Sequence, residues 1–281
     1  MPGVSFDKLI IDRVADAWFE DRTNNKLLAV IDDVQNFSIN TTADTKEKVD
    51  SMGALIKRYY LAKNVEVSGE NAVLSLNLMG TQTGTGVTTD ANVKDIPRII
   101  HVAKKVTAIE LPDVINEGTL IVYGTQDNGL VDLEKEYVKD TTAGAGKYAI
   151  AVDEQTGLTS ITLPTDATDS VIIKYEYDAT EESNAIRVDQ DATSFPKETK
   201  ATFRVLCSDV CQSDVVRAFY VVFPKFQMNP DFDWTLDTES AQSFSATALK
   251  DYCAKKQLLF YVALDESSAD YDAIIDEDVI K

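Results

Sequence analysis

The sequence has one histidine, three cysteines and no apolar run near the roughly 18 residues that a membrane span needs. His101 lies in the apolar string IIHVA, so a catalytic triad or a histidine-based metal site lacks partners there, and a plain structural or surface role is expected. Cys207, Cys211 and Cys253 cannot all pair within one chain. Without a second cysteine pair or a histidine beside them, buried reduced thiols are expected rather than a disulfide framework or zinc site. Positive charge is scarce too: 27 Lys and Arg stand against 47 Asp and Glu, a net charge of −20. The carboxylates spread from Asp7 to Asp278, which makes the charge a property of the surface. A field of that sign repels phosphate backbones and argues against tight nucleic-acid binding. The opening MPGVSFDKLIIDR has no basic segment ahead of an apolar core, so no secretory leader is expected, and assembly in a reducing cytoplasm is.

With 44 % apolar residues, the 281-residue chain can bury a sizeable core in one large domain or two. Leu9, Ile10, Val14, Ala17 and Trp18 have a loose helical spacing and predict a short amphipathic N-terminal element. Two stretches, Leu27 to Gly80 and Ala201 to Leu264, then read as the same device, a long β-rich segment closed by a short apolar helix. In the first, Phe37, Ile39 and Thr41 fall on one side of a strand and Asn36, Ser38 and Asn40 on the other. The charged string TADTKEKVDS reads as a long, mobile connection, Gly53 as a turn, and ALIKRYYLAKNVEVS as the returning strand. Ser68 is the expected N-cap and Gly80 the C-terminal stop of the first helix. GTQTGTGVTTDAN reads as an exposed loop or joint.

Residues 98–197 change character. Short strands separated by turn signals, among them Asp127–Gly129 and Gln155–Gly157, predict a small β-sandwich. The expected organisation is therefore a discontinuous parent domain, 1–97 with 198–281, and an inserted module, 98–197. In the second part of the parent, two strands flank the acidic turn SDVCQSD, Pro224 and Pro230 bracket an edge-like segment, and FDWTLDTES alternates. Ser245 is expected to cap a helix over ATALKDYCA, and LLFYVAL to close the fold as a buried strand.

Chemistry-bearing motifs are weak throughout. AGAGKY around Lys147 lacks the first glycine of a phosphate loop, and Tyr148 stands where a magnesium-binding Ser or Thr belongs. The pairs Asp32–Asp33, Asp189–Asp191 and Asp231–Asp233 lack the glycine and bidentate glutamate of a calcium loop. Tyr59 and Tyr60 beside Lys57 and Arg58 offer a stacking platform for single strands, but at this net charge packed aromatics and paired cations are the better account. No catalytic residue, metal site or cofactor is nominated, and the chain is read as a structural protein rather than an enzyme.

LIKRYYLAKNVEVSGENAVLSLNLMGTQTG and RAFYVVFPKFQMNPDFDWTLDTESAQSFSATALKDYCAKKQLLFYVAL together resemble tail tube proteins of tailed bacteriophages. The resemblance spans roughly residues 25–97 and 198–265 and is one of pattern, without an invariant signature. It implies a mainly β fold, a sandwich or barrel with short flanking helices, and an assembly of stacked hexameric rings whose acidic channel lets DNA pass without sticking during ejection. On that reading Asp32, Asp33, Asn36, Ser38 and Asn40 line the lumen. Lys46, Glu47, Lys48, Asp50 and Met52 meet the neighbouring ring. Residues 98–197 depart from the minimal pattern and resemble an immunoglobulin-like decoration or an elaboration of the ring contact. The implied location is the virion tail, after assembly in the host cytoplasm, with sheath, baseplate and tail terminator proteins as further partners and no membrane insertion. A capsid decoration or other β-rich virion protein shares the strand-rich acidic character but does not need two hairpin–helix halves, and a carbohydrate-active enzyme or carbohydrate-binding lectin would need a groove lined by aromatics and carboxylates.

Overall fold

A computed structural model describes residues 9–103, 106–167, 170–210, 212–234 and 241–264, and the protein is mainly β. Its contacts divide it into one unit formed by Met1–Val87 with Val188–Lys281 and a second formed by Thr88–Arg187.

The first unit opens with β1 (Leu9–Asp21), a strand where the spacing predicted a helix. Two bulges, between Ile11 and Arg13 and between Val14 and Asp16, shift its register. They place the buried residues Val14, Ala17 and Phe19 three and then two positions apart, and that interrupted period mimics a helical face. A short β2 (Leu27–Ile31) pairs with β1 and leads through Asp32 and Asp33 into β3 (Val34–Val49). β4 (Leu55–Asn71) returns antiparallel to β3 along nearly its whole length. The expected mobile connection TADTKEKVDS is thus mostly ladder: Glu47 pairs with Arg58, Lys48 with Lys57 and Val49 with Leu55. Only Asp50 to Ala54 turn, at Gly53 with φ +83°.

The expected Ser68 cap is also overturned, because Ser68 sits in β4 between Ser38 and Ser245. The helix α1 (Leu76–Thr83) starts seven residues later, where the Ser75 hydroxyl accepts the Leu78 N–H at 3.2 Å. It runs through Gly80 and stops at Gly84, whose φ of +79° closes the last turn. A Cβ at Gly84 would lie 2.1 Å from the Phe195 carbonyl oxygen, so both backbone and space require glycine. Gly80, Gln82 and Thr83 are buried, which corrects the exposed-loop reading for the first part of this segment, whereas Thr85, Gly86, Thr89 and Asp90 are exposed and the division between the two units falls at Val87, as a joint would.

The second unit holds β5 (Thr88–Thr89), β6 (Ile96–Val102), β7 (Ala108–Glu110), β8 (Ile115–Thr125), β9 (Val131–Asp140), β10 (Lys147–Val152), β11 (Thr159–Thr162), β12 (Val171–Tyr177) and β13 (Ile186–Arg187). β5 pairs with β13, and the others form one sheet in the order β6-β12-β8-β9-β10-β11-β7. The β8–β9 connection turns at Gly129 (φ +81°), and the β10–β11 connection at Gly157 (φ +71°), where the Asp153 carboxylate accepts the Gln155 N–H. Both turns fall on the signals in the sequence. Val122, Ile173 and Tyr175 from β8 and β12 pack in one core with Tyr148 and Ile161 from β10 and β11. His101 lies exposed on the edge strand β6.

The chain re-enters the first unit with β14 (Glu198–Asp209), β15 (Gln212–Met228), β16 (Gln242–Ala248) and β17 (Tyr261–Ala263). The pairings β1-β14, β14-β15, β15-β16, β16-β4, β4-β3 and β3-β1 join end to end, so the sheet closes into a six-stranded barrel. Closure removes most of the free edges an open sheet would carry. Phe19, Phe203, Phe223, Phe226 and Phe244 fill its interior, with Phe19 and Phe203 edge-to-face at 6.0 Å. Four expectations fail in this half. Pro224 lies in β15, which has neighbours on both sides, at a register shift opposite Thr199–Ala201; a bulge tolerates a residue without an N–H. Ser245 is a strand residue of β16 instead of a cap, and its hydroxyl accepts from the Asn229 amide at 2.9 Å. The closing strand β17 forms on β15, but its three residues are exposed instead of buried. Leu236 of the predicted alternation lies outside the described residues, while Phe232 and Trp234 sit 5.5 Å apart, ring to ring. Cys207 is buried, as expected, but Cys253 is exposed, against the buried-thiol reading; Cys211 lies outside the described residues.

Candidate functional site

The β3–β4 hairpin leaves the barrel at Val65 and carries no residue of the core beyond that point: every position from Asn40 to Asn64 is exposed. A two-stranded ribbon is marginal alone in water, yet this one holds Val49, Met52, Leu55, Ile56, Tyr60 and Leu61 out in solvent, Met52 at 91 % exposure. Apolar surface of this kind marks an interaction region rather than a finished fold.

Its two faces differ. Lys46 stands opposite Tyr59 and Lys48 opposite Lys57, so three lysines and a tyrosine share one face, with the Lys57 ammonium 4.9 Å from the Tyr59 ring centre. On the other face Glu47 accepts the Arg58 Nε–H at 2.7 Å, and that hydrogen bond holds the Arg58 guanidinium above its usual range. At the turn, the Asp50 carboxylate accepts the N–H groups of Met52 (2.9 Å) and Ala54 (2.7 Å). Of the residues expected at a neighbouring ring, Lys46, Lys48 and Met52 are therefore free to reach outward, whereas Glu47 and Asp50 hold the hairpin together. The hairpin from Thr41 to Asn64 has five cations against three carboxylates, a positive island on an acidic protein.

At its base the barrel presents a polar face. Phe37 and Ile39 point inward against the core, and Asn36, Ser38 and Asn40 point outward, as the alternation implies, whereas Thr41, expected on the inward row, is exposed where the hairpin leaves the barrel. Asn36 sits in a bulge with φ +50° and donates its amide to Glu70 at 2.7 Å. Ser38 lies opposite Ser68, and Asn40 opposite Glu66. Asp32 and Asp33 are exposed where β2 passes into β3, and Asp33 accepts from the Gln35 amide at 3.3 Å. Sequence reasoning missed the third row of this face, Ser243, Ser245 and Thr247 on β16, because the segment was read as a helix. The strict alternation of those residues with buried Phe244, Ala246 and Ala248 was the available signal.

Two of the other motifs resolve into local structure. Lys147, beside the Gly144–Gly146 turn, pairs with Asp140 at 2.6 Å. Asp191 accepts the Thr193 and Ser194 N–H groups in a tight turn, and these bonds with the Ser194 hydroxyl hold its carboxyl well below the ordinary range.

No curated protein matches this chain. The sequence model of the YomU/Tube protein family matches residues 9–261, which spans both barrel segments and the intervening unit. The chain belongs to the YomU/Tube protein family, which points to a phage-related, tube-like structural protein.

Proposed function

We propose that this protein is a virion structural subunit that assembles into hexameric rings, and that the rings stack into a tail tube through which DNA leaves the particle. The observation that carries this reading is the hairpin, whose apolar residues Met52, Ile56, Tyr60 and Leu61 the subunit leaves uncovered on a ribbon that needs further packing. Copies of one chain that present the same ribbon cover one another in a closed symmetric assembly. The polar face with Ser38, Asn40, Glu66 and Thr247 supports a channel lining, flanked by Asp32, Asp33 and Asn36. It offers hydroxyls, amides and carboxylates to a phosphate backbone, with no cation to hold it. Residues 88–187 serve as an exterior or ring-contact module, and sheath, baseplate and terminator proteins are the partners at the tube surface and ends. Sedimentation velocity over a concentration series, with electron microscopy of the same samples, tests the reading. Six-fold rings or tubes are expected, and a species that stays monomeric at every concentration overturns it.

A further inference from the structure

A pocket of about 670 Å³ lies at the root of the hairpin, on the outer face of β3, β4 and β16. Ser68, Glu70 and Ser245 of the sheet line it together with Asp231, Phe232 and Asp233. It thus joins three carboxylates to an aromatic wall. No cation of the described residues pairs with any of the three, and Glu70 takes only the neutral Asn36 amide. At the far end of the same hairpin, Lys46, Lys48 and Lys57 crowd one face with no carboxylate partner among the described residues. We propose that these two surfaces are complements: the lysine face of one copy's hairpin docks in the acidic pocket of a second copy.

The hairpin cannot satisfy its own pocket. Lys57 and Ser68 belong to one paired strand eleven residues apart, roughly 35 Å at an extended rise, and the ladder between them does not fold back. The contact is therefore between molecules. Because hairpin face and pocket are different surfaces, the contact can repeat head-to-tail into rings or stacks, whereas reciprocal exchange between two copies would close a two-fold dimer. The Phe232 ring gives the lysine stems an apolar wall while their ammonium groups meet Glu70, Asp231 and Asp233. Docking there takes Asn36 out of any channel and leaves Ser38 and Asn40 to line it. This inference rests on the self-assembly of the proposed function but not on six-fold symmetry.

Carbodiimide joins an amine to a carboxylate only where the two pair closely. The test treats an equal mixture of isotopically light and heavy full-length protein and maps the linked peptides. Mixed-isotope links from Lys48 or Lys57 to Asp231 or Asp233 are expected. They should fall at least tenfold in Lys48→Glu/Lys57→Glu and in Asp231→Lys/Asp233→Lys, and assembly should return to within a few-fold of wild type when the two reversed proteins are mixed. Rings without these links overturn the docking and leave the tube reading standing. Links in a species that never forms rings do the reverse. Two reversals that keep their thermal melts but fail to rescue one another also overturn the docking. So does a 20-base-pair duplex that binds the lysine face and suppresses the links, which assigns that face to nucleic acid.

Discussion

Lys48 and Lys57 stand directly opposite each other near the tip of the β3–β4 hairpin, two like charges in one cross-strand pair. Such a pair weakens an isolated ribbon by roughly 0.2–1 kcal/mol relative to a neutral one. Lys57→Glu converts it to an attractive pair. In the free subunit, hydrogen exchange of the amides from Thr45 to Tyr60 should slow by a few-fold, while the onset of assembly moves to higher protein concentration. Slower exchange together with unimpaired assembly would show that the lysine face is not a contact.

The hairpin contributes nothing to the core beyond Val65. Replacing residues 43–61 by a short Asn-Gly turn should leave the barrel melt within a few degrees of wild type and abolish higher-order assembly. Calorimetry and sedimentation on the same sample separate these effects. A collapsed melt would mean that the ribbon supports the barrel itself.

Gly84 and Gly86 both have positive φ, +79° and +77°, but only Gly84 is pressed against another backbone, at Phe195. Gly86→Ala should cost about 1–2 kcal/mol, the strain of a left-handed alanine. Gly84→Ala adds the overlap with the Phe195 carbonyl and should lower the melting temperature further. Equal shifts for the two variants would remove the argument from close approach.

In the second unit the Tyr175 hydroxyl is buried and donates to Asp113 at 2.7 Å, while Arg98 pairs with the same carboxylate at 3.1 Å. Burial, followed by the hydrogen bond and the negative charge of Asp113, pushes this phenol above its ordinary value of 10. The folded form therefore holds the proton more tightly than the unfolded form. The associated stability is complete below pH 10 and declines as pH rises from there toward the folded value. Tyr175→Phe should lose about 1–3 kcal/mol at pH 7, the cost of leaving the half-buried Asp113 short of a donor, and show a weaker decline above pH 10. Chemical denaturation at pH 7 and pH 10.5 checks both signs.

The contact division at Val87 and Val188 invites excision. Joining the two flanking segments by a short Gly/Ser linker should give a folded barrel that still assembles, if residues 88–187 decorate the exterior. A folded barrel unable to form rings places the excised unit in the ring contact.

The sequence by itself settled the β class, the inward Phe37 and Ile39 against the outward Asn36, Ser38 and Asn40, and the turns at Gly53, Gly129 and Gly157. Each is a local matter: a two-residue period or a residue able to take positive φ at low cost. Tertiary structure decided what local rules leave degenerate. Bulges in β1 turned a strand's burial into a helical-looking spacing. Ser68 and Ser245 are sound caps in isolation, but each lies in a strand whose backbone groups are committed to ladders on both sides, so their segments stay extended. The charged string after Asn40 has no apolar period of its own and becomes a strand only because β4 pairs with it. Strand order decided the rest. The lysines of the hairpin and the carboxylates at its root are ordinary surface charges in sequence, and long-range pairing alone gathers them into a basic face and an acidic pocket at opposite ends of one paired ribbon.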